Sequence, residues 1–576
     1  MSDSPQESDA PEPDQADGVD PGQPGESPAP PGEQEAPTVS TLTDDRHRWA
    51  RRTWDKVLDI PHLAGPVRRL AMRQLTRLDA QDWQRSWSRR DPADNAAGQL
   101  PPGEEARLPV ILLAEVFTPT TIDSLVDGMG RLARKPAGLS PVSGIELAEW
   151  IRSSRQERRL NSVRHIGYVA PKGIDIGPKI EAEVPSGIEH VHLSVQMLTP
   201  TVTMLTAAFR LQDDRARGLE AILNRDITSR TEKSENGYSL LTVGLQKDRA
   251  TDQWRADLRR EAAAWIAKYF PGSFHRLAPG QLPTIELLIT RHYQPWEPAS
   301  DPSEIPGWAG ILDIGGWLEY WQCTGRSSFR LGERHIRSQN LDLRHALVLA
   351  TAKEPPPGKE SPDAGEGASI LPTLNSLAMG LLARWSLLAL VRELSEQLPR
   401  MQDTAERASR KQGLRQAVRT VTALQQENLR AGLDSRIVVG DIVSFTQNPM
   451  WRTHLLSILS DFSEVIPARR SATGPPAASL IELWRNFTAA VGREIMRSER
   501  DLREVLSTNA ELTGAAANLR LQRTTIWIAV LSGIFAAVAA AAAVIAISHP
   551  ATPTPVPHMR PIARHSASPS STKQPR

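Results

Sequence analysis

The chain of 576 residues holds one cysteine, Cys323, which excludes an intramolecular disulfide and any cysteine-rich zinc module. A lone thiol suits a reducing compartment. Lysine and arginine are missing from residues 1–45, where twelve Asp or Glu, nine Pro and four Gly stand without an aromatic residue. Too few large apolar groups are left there to offset the entropy of ordering, so 1–45 reads as a disordered acidic arm. Three catalytic signatures are also lacking: the Gly-x4-Gly-Lys-Ser/Thr phosphate loop, the His-Glu-x-x-His zinc site and the Gly-x-Ser-x-Gly elbow. P-loop NTPases, zincins and α/β-hydrolases lose their support with them. The net charge of +1 lacks the strongly basic footprint of a dedicated nucleic-acid binder, which argues against nucleic acid as a partner. No apolar export signal precedes the large N-terminal part, so the bulk is expected in the cytoplasm.

Charge is absent from one long stretch. Ile526 to Ile547 contains no Asp, Glu, Lys or Arg, and its 22 positions include nine alanines, five isoleucines and three valines together with Trp527, Leu531 and Phe535. At about 1.5 Å per residue the run covers roughly 33 Å, enough to cross a hydrocarbon core of ~30 Å. Residues 525–548 are therefore expected to form one transmembrane helix, bounded by Ile526, Trp527 and Ile547, with Gly533, Ala537 and Ala541 on a face of small residues four apart. Arg520 and Arg523 flank it closely on the N-terminal side, whereas Arg560 and Arg564 stand farther off on the other. That asymmetry favours a single pass through the inner membrane of a bacterium, with the bulk in the cytoplasm and a disordered tail, 549–576, outside.

The remaining chain divides by texture. Residues 46–104 form a basic, Trp-containing helical segment: twelve Lys or Arg oppose four Asp over 46–90, and Val67, Leu70, Met72, Leu75 and Leu78 recur at helical spacing. That places Arg68, Arg69, Arg73 and Arg77 mainly on the opposite face, where they are candidates for contact with an anionic surface. Residues 105–352 mix buried-type strands (Leu108–Phe117, His190–Leu198, Val202–Leu211, Pro283–His292, Leu343–Thr351) with helices, in an order that predicts an α+β domain. A Pro/Gly linker, 353–372, follows, then a helical bundle over 373–475. Arg384 and Arg392 inside the apolar helix Leu374–Leu398 argue for a buried bundle helix rather than a second span. A long helix over 476–524 carries Leu502, Val505, Asn509, Leu512 and Leu519 at heptad-like spacing, the pattern of a coiled-coil stem that self-associates above the membrane. The fold class expected is an α+β cytoplasmic domain, an all-α bundle and stem, and one C-terminal transmembrane helix.

Sites of chemistry are sparse. His190 and His192 alternate on a strand, share a face and could hold a metal with Glu181, Glu183 or Glu189, although two ligands make an incomplete site. Cys323 with His335 or His345 would be a nucleophile and base, and Asp123 with Asp127 an acid–base pair; a buried thiol and a solvated helix face account for them more simply. Gly128-Met129-Gly130 sits inside a predicted helix, away from the strand-to-helix turn that a dinucleotide fingerprint requires. No cofactor is expected. The leading expectation is a non-enzymatic, membrane-tethered sensor or adaptor that self-associates, bound to the bilayer and to an unidentified protein or small molecule. An oligomeric pore-forming effector and a membrane-anchored enzyme with a metal near His190 and His192 are the alternatives.

Overall fold

The computed structural model describes residues 40–62, 64–132, 136–137, 144–157, 162–174, 176, 179–234, 237–295, 302–315, 320–323, 329–333, 345–353, 370–411, 436–453, 462–465 and 479–548. The N-terminal arm as far as residue 39, most of the linker and the C-terminal tail lie outside that set.

The chain divides into two compact units, residues 1–89 with 229–241, and the remainder. In the first, helices Ser40–Leu58 and Gly65–Ser88 pack as an antiparallel pair, and a hairpin of β7 (Arg230–Ser234) and β8 (Gly237–Leu241) lies against the second helix. Pro66 opens that second helix, where its missing N–H costs nothing. Polar contacts set the pairing: Arg51 reaches Asp79 at 2.7 Å and Asp82 at 2.9 Å, and the Nδ1 of His47 stands 3.3 Å from Asp82.

The second unit is mixed α/β, built on a large sheet. Its strands among the described residues are β1 (Ala106–Phe117), β2 (Pro136–Ala137), β3 (Val163–Ala170), β4 (Lys179–Glu181), β5 (Ile188–Met197), β6 (Thr203–Leu211), β9 (Thr284–Thr290), β10 (Tyr320–Cys323), β11 (Arg330–Glu333), β12 (Ala346–Ala352) and β13 (Phe462–Val465), in the order 13-10-11-12-9-1-6-5-3-4-2. Pairing is antiparallel except between β9 and β12 and between β3 and β4. β1 lies in the middle and is buried along its length apart from Arg107, as its apolar run Leu108–Ala114 requires, and it carries Glu115 into the interior with it. The β5–β6 hairpin turns at Thr199-Pro200-Thr201, where the Thr199 hydroxyl accepts from the N–H of Thr201 and of Val202.

Helix Val243–Tyr269 packs on the sheet, capped by the Thr242 hydroxyl, which accepts from the Leu245 N–H at 3.4 Å. Strand β8 ends at Leu241, because Thr242 caps the helix that begins at Val243. Helix Ile370–Lys411 packs on β1, β9 and the terminal helix Leu480–Ser548, and its buried residues Leu377–Val391 share one hydrophobic core with the sheet. It continues through Pro399, where a break was expected, with good helix formers on both sides. β13 adds to the sheet edge a strand from a stretch read as helical.

Buried polar knots fix these layers. Arg384 is 3% exposed; its Nε donates to the Trp451 carbonyl at 2.9 Å and its Nη1 to the Gly380 carbonyl at 3.0 Å. At the mouth of β12, His345 adopts a left-handed φ of 63° and turns its carbonyl to accept from the Thr284 N–H and the Trp385 Nε1. Its Nε2 stands 2.8 Å from Glu393 Oε1.

Candidate functional site

The terminal helix is continuous from Leu480 to Ser548 and contains one segment, Leu521–Ala540, long and apolar enough to cross a membrane by length and composition. None of that segment is buried, and Ile526, Trp527, Ile528, Phe535 and Val538 are each about 60–70% exposed. A Cβ added at Gly533 would meet nothing within 4 Å, so this face is open to close approach. Ala537 lies on the same exposed helix; Ala541 and Ile547 are helical, with side chains outside the described set. Leu502, Val505, Asn509 and Leu512 lie on the same helix, and their side chains are likewise outside the description. Leu519 is 63% exposed.

In the first unit, Arg68, Arg69, Arg73 and Arg77 are all exposed and have no ion-pair partner among the described residues. The acids of helix Gly65–Ser88, Asp79 and Asp82, are taken up by Arg51, Arg85 and His47. The apolar stripe departs from its sequence reading. Ala71 and Ala80 are the buried residues of helix Gly65–Ser88, while Val67, Leu70 and Met72 are 42%, 49% and 53% exposed, as are Trp49 and Ile60 beyond 50%. The outer surface of this unit therefore mixes free guanidinium groups with exposed apolar side chains.

His190 and His192 do share a face of β5, and register brings Tyr168 of β3 opposite His192. The His165 and His192 rings stack at 5.5 Å, and Tyr168 stands 5.3 Å from His190 and 5.0 Å from His192. Burial, then the neighbouring His165 and His190, pushes His192 down to about 4. Burial also lowers His190, with Glu189 pulling the other way across 3.6 Å. Such neutral rings could ligate a metal, yet among the described residues no group of three or more His, Cys, Asp or Glu is placed to hold one. The His165, Tyr168, His190 and His192 rings pack on one another. His165 and Tyr168 were not legible as members of this cluster, since strand register is not written in a single strand.

The other sequence candidates resolve into structure. Cys323 is buried, and His335 falls outside the described residues. Asp123 and Asp127 are exposed on helix Ile122–Leu132. Gly128 owes its place to packing: a Cβ there would stand 2.2 Å from the Tyr269 carbonyl and 2.5 Å from the Phe270 ring.

The structure adds buried ionisable groups that were not singled out from the sequence. Along helix Val243–Tyr269, Lys247, Thr251, Arg255 and Arg259 recur every four residues and are all buried. Lys247 donates to the Leu223 carbonyl at 2.6 Å, and burial lowers its affinity for the proton. Arg255 and Arg259 face Glu286 at 3.5 and 3.1 Å. Glu115, 1% exposed, accepts from the N–H groups of Val116, Phe274 and His275 at 2.8, 2.8 and 3.1 Å. Burial pushes its carboxyl up to about 8, against those backbone donors.

Comparison with known proteins brings no match from family models, curated proteins or solved structures. The fold is a mixed α/β body with a large sheet and one candidate membrane helix.

Proposed function

We propose that this protein is a bilayer-tethered, non-enzymatic sensor or adaptor of the bacterial inner membrane, with its body in the cytoplasm and the residues after 548 outside. One observation carries the reading: an apolar helical segment, Leu521–Ala540, is left wholly exposed, whereas helix Ile370–Lys411 buries its apolar residues in the core. Water makes such a surface costly, and a hydrocarbon core removes that cost. The free guanidinium groups of Arg68, Arg69, Arg73 and Arg77, with Val67, Leu70 and Met72 exposed beside them, support a second contact with the anionic leaflet. Lys and Arg near a negatively charged bilayer are worth about 1 kcal/mol each. The heptad positions Leu502, Val505, Asn509, Leu512 and Leu519 and the open Gly533 face support self-association.

Cross-linking of the full chain in liposomes, with conductance recorded in planar bilayers, tests this reading. Discrete oligomers without stepwise conductance are expected, together with a C-terminal reporter active only outside the cytoplasm. Stepwise conductance would replace the adaptor with a pore-forming effector. Stoichiometric metal in the purified chain, lost on His192→Ala, would point instead to a membrane-anchored enzyme.

A further inference from the structure

Helix Gly65–Ser88 is built against its own electrostatics. Its first turn has no acid, yet Arg68 and Arg69 stand near that end, where the helix dipole already presents positive charge. Arg69, Arg73 and Arg77 follow one another at intervals of four, so neighbouring guanidinium groups repel along one face. Each such like-charge pair costs about 0.2–0.5 kcal/mol, and no acid of the described residues offsets it. An anionic cover over this face would relieve both penalties.

We infer that the acidic arm, residues 1–39, is that cover, lying over Arg69, Arg73 and Arg77 as an intramolecular occupant that anionic lipid must displace. This rests on the reading of that face as lipid-binding. Charge complementarity is the first argument: the arm holds ten Asp or Glu and no Lys or Arg. Reach is the second. The contacts of His47 and Arg51 with Asp79 and Asp82 fix an antiparallel pair, so Ser40 stands near the Ser88 end of the partner helix. From there Arg77 and Arg69 lie roughly 18 and 30 Å back along that helix, at about 1.5 Å per residue. A random-coil chain of 39 residues would have a root-mean-square span of about 34 Å, and tethering would give it an effective concentration on the order of millimolar. The third argument is what the arm lacks. With few large apolar residues it neutralises the arginines but leaves Val67, Leu70 and Met72 uncovered. A bilayer surface satisfies both kinds of group, which makes the arm a displaceable screen and the leaflet its competitor.

Arginine footprinting tests this. Phenylglyoxal modification of the full chain in dodecyl maltoside, read by peptide mass spectrometry, is expected to run several-fold slower at Arg69, Arg73 and Arg77 than in a chain lacking residues 1–39, with exposed Arg276 as the internal reference. Changing the ten arm carboxylates to amides, or adding 1 M NaCl, removes the protection. Equal rates with and without the arm at low salt overturn the inference. A second arm of the experiment keeps it apart from the reading beneath it: in phosphatidylserine nanodiscs the chain lacking 1–39 becomes protected at the same arginines. Protection by the arm without protection by lipid would contradict the lipid-binding reading and leave the intramolecular contact standing.

Discussion

Glu115 and His192 give the residue scale its tests, because burial moves their proton affinities in opposite directions. Glu115 is raised to about 8, so between its ordinary value near 4.5 and 8 the folded state holds the proton more tightly than the unfolded chain. Its contribution is present at low pH and is lost as pH rises through 8. His192 is lowered to about 4, so the folded state resists protonation between 4 and 6.5, and stability falls as pH drops through that window. The two oppose each other between about 4.5 and 6.5. Above 6.5 only Glu115 acts, and Glu115→Gln is expected to flatten the decline in melting temperature between pH 6.5 and 8. A decline that survives the substitution would assign it elsewhere. Glu115→Ala strands several buried N–H donors and is expected to cost about 3 kcal/mol in urea unfolding.

The buried cations lead to a sharper contrast. Glu286 faces both Arg255 and Arg259, so Glu286→Ala leaves the fully buried Arg255 guanidinium uncompensated and should cost about 3–5 kcal/mol. Arg255 is fully buried, and its Nη1 and Nη2 find no hydrogen-bond partner. Arg255→Met is therefore expected to be neutral or stabilising. A loss for Arg255→Met as large as for Glu286→Ala would show that the guanidinium does more than tolerate its site.

At the scale of elements, strong local patterns were legible. The apolar run Leu108–Ala114 of β1, the β5–β6 hairpin around Pro200 and the C-terminal apolar helix each follow from period, length or turn chemistry within one segment. What depended on partners was not. In helix Gly65–Ser88 periodicity finds an apolar stripe without saying what covers it, and the structure leaves Val67, Leu70 and Met72 exposed. β13 was missed because a four-residue edge strand is shorter than any helical or alternating template can resolve. The His165–Tyr168–His192 cluster needs the β3–β5 register, a long-range fact. Gly128 is a packing glycine of the same kind, visible only once helix Ile122–Leu132 meets the Tyr269–Phe270 corner. Gly128→Ala is expected to lower stability by about 1–3 kcal/mol through overpacking, while Gly130→Ala, which meets nothing within 4 Å, should be neutral or slightly stabilising.

For the whole molecule, the account joins a mixed α/β body to a bilayer through one helix. The core shared by the sheet, helix Ile370–Lys411 and the start of the terminal helix leads without interruption into Leu521–Ala540. A partner or ligand that repacked this core would therefore act on the same continuous helix that carries the candidate membrane segment. Alkaline carbonate extraction of membranes from cells expressing the full chain tests the central claim most directly. The account predicts that the chain stays in the pellet and moves to the supernatant when residues 521–548 are deleted. Release of the intact chain by carbonate, or retention of the deleted one, would contradict it.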